Sequence, residues 1–187
     1  NSSYNMRLVG WCGNEIQDCI PNSYADADFA GDSQQLRSTT GSSVIIEGSF
    51  TRFPVAGRSI KQTCTSNSTP EAEIVATFTT YKTLTMPMFD IWDSFLPVGW
   101  TSYFNEDNQA MIKVIQSGRN PTMRVLKRCH GVDLQFLHER LSDTQDPDQA
   151  AITHDPCTLR YIETDKMAAD IYTKPFTNKE KWVHACE

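Results

Sequence analysis

Carboxylates recur in four separated segments of this 187-residue chain: Asp26 and Asp28 in Ser23-Tyr-Ala-Asp-Ala-Asp-Phe-Ala-Gly31, Glu71 and Glu73 in Ser68-Thr-Pro-Glu-Ala-Glu73, Asp107 in Glu106-Asp-Asn-Gln109, and Asp170 in Ala168-Ala-Asp-Ile-Tyr-Thr-Lys-Pro175. Carboxylate oxygens are hard ligands, and several of them brought to one point repel unless divalent cations such as Mg²⁺ or Mn²⁺ neutralise them. The pattern therefore points to a metal site. Asp26 and Asp28 are two apart on an extended segment and share one face, so composition alone does not choose between them. Glu71 and Glu73 are two apart on a helical segment, about 200° around its axis, so only one can face such a site. Glu71, three after Ser68, is placed to close a capping box. Asp107 follows Tyr103 and Phe104 and stands where a helix N-cap also belongs. Ala168 and Ala169 allow the segment carrying Asp170 to pack closely on a neighbour.

These side chains need elements to hold them. Asn22 to Ala30 reads as a strand closed by Gly31-Asp32, and Ser42 to Phe50 as a β-branched strand with Gly48-Ser49 as its turn. Phe53 to Val55 and Ser59 to Thr65 together read as a third strand, completing an antiparallel meander, with Gln34 to Gly41 as polar turn material. Leu8, Val9 and Trp11 suggest a lead-in strand. Thr69-Pro70-Glu71 opens a helix: a hydroxyl cap, Pro in the first turn and an acid where the dipole favours it. Ile74, Phe78 and Tyr81 follow at helical spacing; Pro87 is predicted to break or kink the helix, which resumes over Met88 to Leu96. Trp100 to Asn105 reads as a strand, Asn108 to Gln116 as a helix ended by Ser117-Gly118, and Met123 to Leu141 as one longer helix with Leu126, Val132 or Gly131, Leu134, Leu137 and Leu141 inward. Ser142 to Pro156 is a polar loop, Thr158 to Glu163 a last strand and Lys166 to Tyr172 a closing helix. Strands followed by alternating strands and helices make a mixed-sheet α/β architecture.

The wording ADADFAGD, RSTTG, STPEAE, EDNQ and AADIYTKPF, from Ser23 to Phe176, resembles the ribonuclease H domain of copia-like (LTR) retrotransposon polyproteins. The resemblance implies the ribonuclease H-like fold, a five-stranded mixed sheet with helices on both faces. It also implies that Asp26 rather than Asp28, with Glu73, Asp107 and Asp170, is catalytic and holds two Mg²⁺ ions, for which Mn²⁺ substitutes. The implied activity is endonucleolytic hydrolysis of the RNA strand of an RNA–DNA hybrid during reverse transcription, with an upstream reverse transcriptase domain of the same polyprotein as partner. Residues 1–21 would then be a lead-in segment and 22–187 the ribonuclease H-like domain. Glu106 stands where other members often carry Cys or an apolar residue. Cellular ribonucleases H carry a His between the last strand and last helix; here that loop is Glu163-Thr-Asp-Lys-Met167. Copia-like members resemble this chain in carrying a basic segment with a His instead, here Lys127-Arg-Cys-His130, for which a substrate or orienting role of His130 stands against that of a packed helical His.

Arg119, Arg124, Lys127 and Arg128 put four cations in ten residues. With Arg58 and Lys61 they suit a phosphate-tracking surface, a solvated helix face being the alternative. The net charge of −6 is unusual for a nucleic-acid binder, but a metal site concentrates acids that its ions offset. An inactive nucleic-acid-binding or connection domain of a reverse transcriptase is the rival function. His138-Glu139 does not extend to HExxH, which excludes a zinc protease. No apolar run approaches the roughly 20 residues that cross a bilayer, so no membrane partner is expected. Six cysteines without a CxxC suit reduced thiols in a cytoplasmic setting, inside a virus-like particle included.

Overall fold

Three strands joined in sequence open the fold, and their pairing follows from the alternation of side chains along them. In the computed structural model, which describes residues 8–31, 35–97, 99–120, 123, 126–142, 155–176 and 178–186, β1 (Ile20–Asp28) pairs antiparallel with β2 (Thr39–Gly48), and β2 with β3 (Thr51–Lys61). Ala25, Ala27 and Val44 enter the main core, while Tyr24 and Ile45 pack with Met167, Ala168 and Ala169 on the other face of the sheet. A strand covered on both faces has no polar side to show, which is why β1 is buried almost throughout. The third strand is one continuous element rather than two pieces: the register shifts at Val44/Ile45, pairing Ile45 with Pro54 and Val44 with Ala56, so Val55 is an extra residue at a bulge. Pro54 lacks a donor and is tolerated at an edge strand with a bulge.

Ser68 caps α1 (Thr69–Thr80) by accepting from the Glu71 N–H at 3.3 Å, and Pro70 lies in the first turn. Pro87 does not break the helix. A wide π-type turn over Tyr81–Thr85, in which the Met86 N–H reaches Tyr81 O, carries it directly into α2 (Met86–Phe95). The extra residue in that turn absorbs the hydrogen bond and the space that proline takes away. β4 (Ser102–Glu106) then joins β1 in parallel, and β5 (Cys157–Tyr161) joins β4 in parallel, giving the order β3-β2-β1-β4-β5. Parallel neighbours need crossovers, which the helices supply.

α3 (Gln109–Ser117) ends at Gly118 with φ 64°, a left-handed position that glycine occupies without strain. The single helix expected over Met123 to Leu141 is two, α4 (Leu126–Cys129) and α5 (Leu134–Leu141). Gly131 at φ 67° ends one, and Asp133, accepting from the Gln135 N–H at 3.1 Å, caps the next. Leu126, Val132, Leu137 and Leu141 still reach one core across the break, so apolar spacing imitated a continuous helix. The closing helix expected over Lys166 to Tyr172 is a pair of single 3₁₀ turns, Thr164–Lys166 and Asp170–Tyr172, and the last helix is α6 (Lys179–Cys186). Among the described residues of the lead-in, Trp11 forms an isolated bridge with Arg52 and Ile16–Asp18 a 3₁₀ turn, rather than a strand. Among the described residues no helix is long and apolar enough to cross a membrane. Cys12, Cys19, Cys64, Cys129 and Cys157 are free thiols, of which Cys19 and Cys157 are buried.

Candidate metal centre

Asp26 lies near the end of β1 on the face that carries Tyr24, opposite Gly41 of β2, and only 3% of it is exposed. Glu73 comes from the first turns of α1, packed on the opposite face, and is 4% exposed. Asp107 follows the last residue of β4. Carboxylate oxygens of these three lie within 4.8 Å of one another. Glu73 accepts from the Ala27 N–H with one oxygen, and its Oε2 is buried with no hydrogen-bond partner. Asn108, not Asp107, caps α3, its Oδ1 accepting from the Met111 N–H at 3.0 Å. That leaves the Asp107 carboxylate free of a capping role.

Asp170 is not one of the three converging carboxylates and meets Asp26 through Lys174. Lys174 Nζ lies 2.6 Å from Asp170 Oδ1 and 3.9 Å from Asp26 Oδ1, while the Thr173 hydroxyl donates to Asp26 Oδ2. The turn carrying these residues comes close to β2 because Gly41 has no side chain: a Cβ there would lie 2.7 Å from Ala169 O. The Ser59 hydroxyl of β3 donates to Tyr172 O at 2.7 Å and pins the same turn. Gly41→Ala is expected to destabilise the fold by about 1–3 kcal/mol by forcing the Asp170 turn off the sheet. Thermal melting checks this, and a melting temperature equal to that of the parent chain overturns it.

Burial dominates the electrostatics. It raises the Asp26 carboxyl above its ordinary range, although Thr173 and Lys174 pull it back. It raises Glu73 much further, with the charges of Asp26 and Asp107 adding to the effect. Asp170 is pushed up to about 6 by burial, with Lys174 opposing. For Lys174 itself burial acts downward, but Asp170 and Asp26 outweigh it and hold the ammonium charged. Excess negative charge without enough solvent is what a cation relieves.

A further carboxylate belongs to this environment. Glu106 is 0% exposed; its Oε2 accepts from Thr77 Oγ1 at 3.4 Å and its Oε1 from the Asn108 N–H at 3.1 Å. Burial first, then the neighbouring Glu73, holds its carboxyl far above the ordinary range. The period of two along β4 carried the signal, since Glu106 shares a face with fully buried Phe104. Thr173 and Lys174 were also missed as contacts of the site; the spacing of four between Asp170 and Lys174 was the clue.

Glu71 is engaged away from the three converging carboxylates: its Oε2 accepts from Asn67 N at 3.1 Å and Asn67 Nδ2 at 3.2 Å, a capping arrangement at the helix start. His130 does not reach the surface. Its side chain is 1% exposed with Nε2 3.6 Å from Glu71 Oε1, so it ties the end of α4 to the start of α1. Arg58 and Lys61 on β3, Arg119 after α3, and Lys127 and Arg128 on α4 are exposed, with Lys127 Nζ 2.8 Å from Asp133 Oδ2. The cations thus stand on three separate elements. Arg124, Asp32, His154 and most of the loop Ser142 to Pro156 lie outside the described residues.

No protein-family model matches the chain, and no curated protein matches it. Among solved structures it is similar to an RNase H1 of the halophilic archaeon Halobacterium salinarum, with a TM-score of 0.50 and 11% identity over 80% of this chain and 90% of that one. It is also similar to an RNase H1 isolated from compost by a metagenomic approach, with a TM-score of 0.49 and 13% identity over 84% of this chain and 93% of that one. A prototype foamy virus protease-reverse transcriptase aligns with a TM-score of 0.40 and 10% identity, over 93% of this chain and 20% of that one. The five-stranded mixed sheet flanked by helices is therefore the ribonuclease H fold.

Proposed function

We propose that the chain hydrolyses the RNA strand of RNA–DNA hybrids in a reaction that depends on divalent cations. The observation that carries this reading is the meeting of Asp26, Glu73 and Asp107 oxygens within 4.8 Å, on a ribonuclease H fold, with a buried Glu73 oxygen lacking any partner. Such a donor set suits a hard cation, which takes oxygen ligands and compensates the charges that burial makes unfavourable. Asp26, Glu73 and Asp107 would hold one Mg²⁺ or Mn²⁺, and Asp26 with Asp170 a second. When bound, the ions supply an activated water and stabilise the leaving 3′-oxygen.

The chain's own part is to hold and orient. Thr173 fixes the rotation of the Asp26 carboxylate by donating to Oδ2, and Ala27 N–H fixes Glu73. Exposed Arg58, Lys61, Arg119, Lys127 and Arg128 would track the phosphates, with Arg124 in the same role, and His130 would orient α4 from beneath. Contacts to 2′-hydroxyls would distinguish RNA from DNA. The wording from Ser23 to Phe176 supports a copia-like retroelement setting, in which residues 1–21 lead in from an upstream reverse transcriptase domain and 22–187 form the nuclease.

Incubation with an end-labelled RNA–DNA hybrid tests the reading. Internal cuts in the RNA strand alone are expected with Mg²⁺ or Mn²⁺, and none with a chelator. A protein that binds the hybrid and cuts it with neither ion would instead be a connection domain.

A further inference from the structure

The two ends of the carboxylate group are not equivalent. At one end, Glu73 Oε2 is buried without a hydrogen-bond partner, and the Lys174 ammonium acts on Glu73 only through its charge, with no salt bridge or hydrogen bond between them. At the other, the Lys174 ammonium sits 2.6 Å from Asp170 Oδ1 and 3.9 Å from Asp26 Oδ1. Asp26 is thereby engaged through both oxygens from one short segment, Oδ2 by the Thr173 hydroxyl and Oδ1 by Lys174. An ammonium between two carboxylates supplies one positive charge and three donors, but no Lewis acidity and no place for a coordinated water. It can hold the geometry of a cation position without doing that cation's chemistry.

We propose that Lys174 is a positioning residue whose ammonium fills the Asp26–Asp170 cation position in the ion-free protein. The first divalent ion then binds at Asp26, Glu73 and Asp107, and the second binds only as Lys174 withdraws. The side chain has somewhere to go: it is 40% exposed and lines a groove of about 1190 Å³ that it shares with Asp170 and Phe176. The inference rests on the metal-dependent reading above and adds an order of binding to it. It also makes the occupancy of the second position depend on the divalent ion concentration, because each binding event must displace a charged group.

Mn²⁺ titration of the full chain without nucleic acid, followed by electron paramagnetic resonance and calorimetry, tests this directly. The parent chain is expected to bind one ion well and a second more weakly. Lys174→Met should tighten the second site at least about tenfold by removing a like charge a few ångströms away. Lys174→Arg should keep the parent behaviour, and Lys174→Gln should repeat the Met result with a polar side chain. Without ions, Lys174→Met should melt lower than the parent chain and regain more on adding Mn²⁺. Two sites of equal affinity in the parent chain, or an unchanged second site in both neutral variants, overturn the proposal and leave the metal-dependent reading standing. Failure of every variant and of the parent chain to bind Mn²⁺ overturns both.

Discussion

Asp26→Asn is expected to reduce hybrid cleavage on the order of 10³-fold or more and, at the same time, to raise the melting temperature of the ion-free protein. The two effects have one cause. The Asp26 carboxylate is almost fully buried next to Glu73 and Asp107, and burial already disfavours its charge. Asparagine keeps the shape and an acceptor for the Thr173 hydroxyl while removing the charge, so repulsion falls and ion binding goes with it. Asp26, Glu73, Glu106 and Asp170 all have carboxyls raised above their unfolded values, so between about pH 4 and the folded value the folded chain binds more protons than the unfolded one. Stability of the ion-free protein must then fall as pH rises through that window, which for Asp170 reaches about 6. Melting curves across pH 4.5 to 8, with and without Mg²⁺, measure this. The parent chain should lose stability with rising pH, recover it with Mg²⁺ mainly at the upper end, and show a shallower slope once Asp26 is replaced. An ion-free protein that becomes more stable as pH rises, or an Asp26→Asn chain that cuts normally, removes Asp26 from the site.

The second large effect separates two glutamates on one helix. Glu73→Gln should cost at least about two orders of magnitude in cleavage rate, because one of the three converging carboxylates loses its charge. Its fold should survive, since burial already favours the uncharged Glu73 carboxyl and the glutamine amide is uncharged as well. Glu71→Gln should do the reverse. A glutamine oxygen can still accept from Asn67, so the helix start weakens by at most about 1 kcal/mol and cleavage stays near the parent rate. Steady-state rates and melting temperatures of both variants decide the matter. A slow Glu71→Gln and an active Glu73→Gln would exchange the roles of the two faces of α1.

Local rules made much of the fold legible. The Gly48-Ser49 turn, the Ser68 cap with Pro70, and the Ser117-Gly118 helix end all act within a few residues, so the sequence carries them whole. Where the expectation erred, a local signal had been outweighed by a longer pattern. Gly131 and Asp133 mark the break between α4 and α5, but evenly spaced leucines suggested one helix. Pro87 suggested a break, and the wide five-residue turn Tyr81–Thr85 removed the need for one.

The sequence by itself determined which segments could extend, turn or coil, and its resemblance singled out Asp26, Glu73, Asp107 and Asp170. Only the tertiary structure decided which side chains share a point in space. Strand β1, the start of α1, the end of β4 and the Asp170 turn are far apart in the chain, and their meeting depends on sheet order and on the close approach that Gly41 allows. It also decided that Glu106 is buried among the carboxylates, that His130 lies beneath the surface, and that Lys174 bridges Asp26 and Asp170. The physical reason is range. Backbone preferences and caps are set by neighbours in sequence, whereas desolvation and charge–charge contacts are set by neighbours in space, and these exist only once the chain has packed.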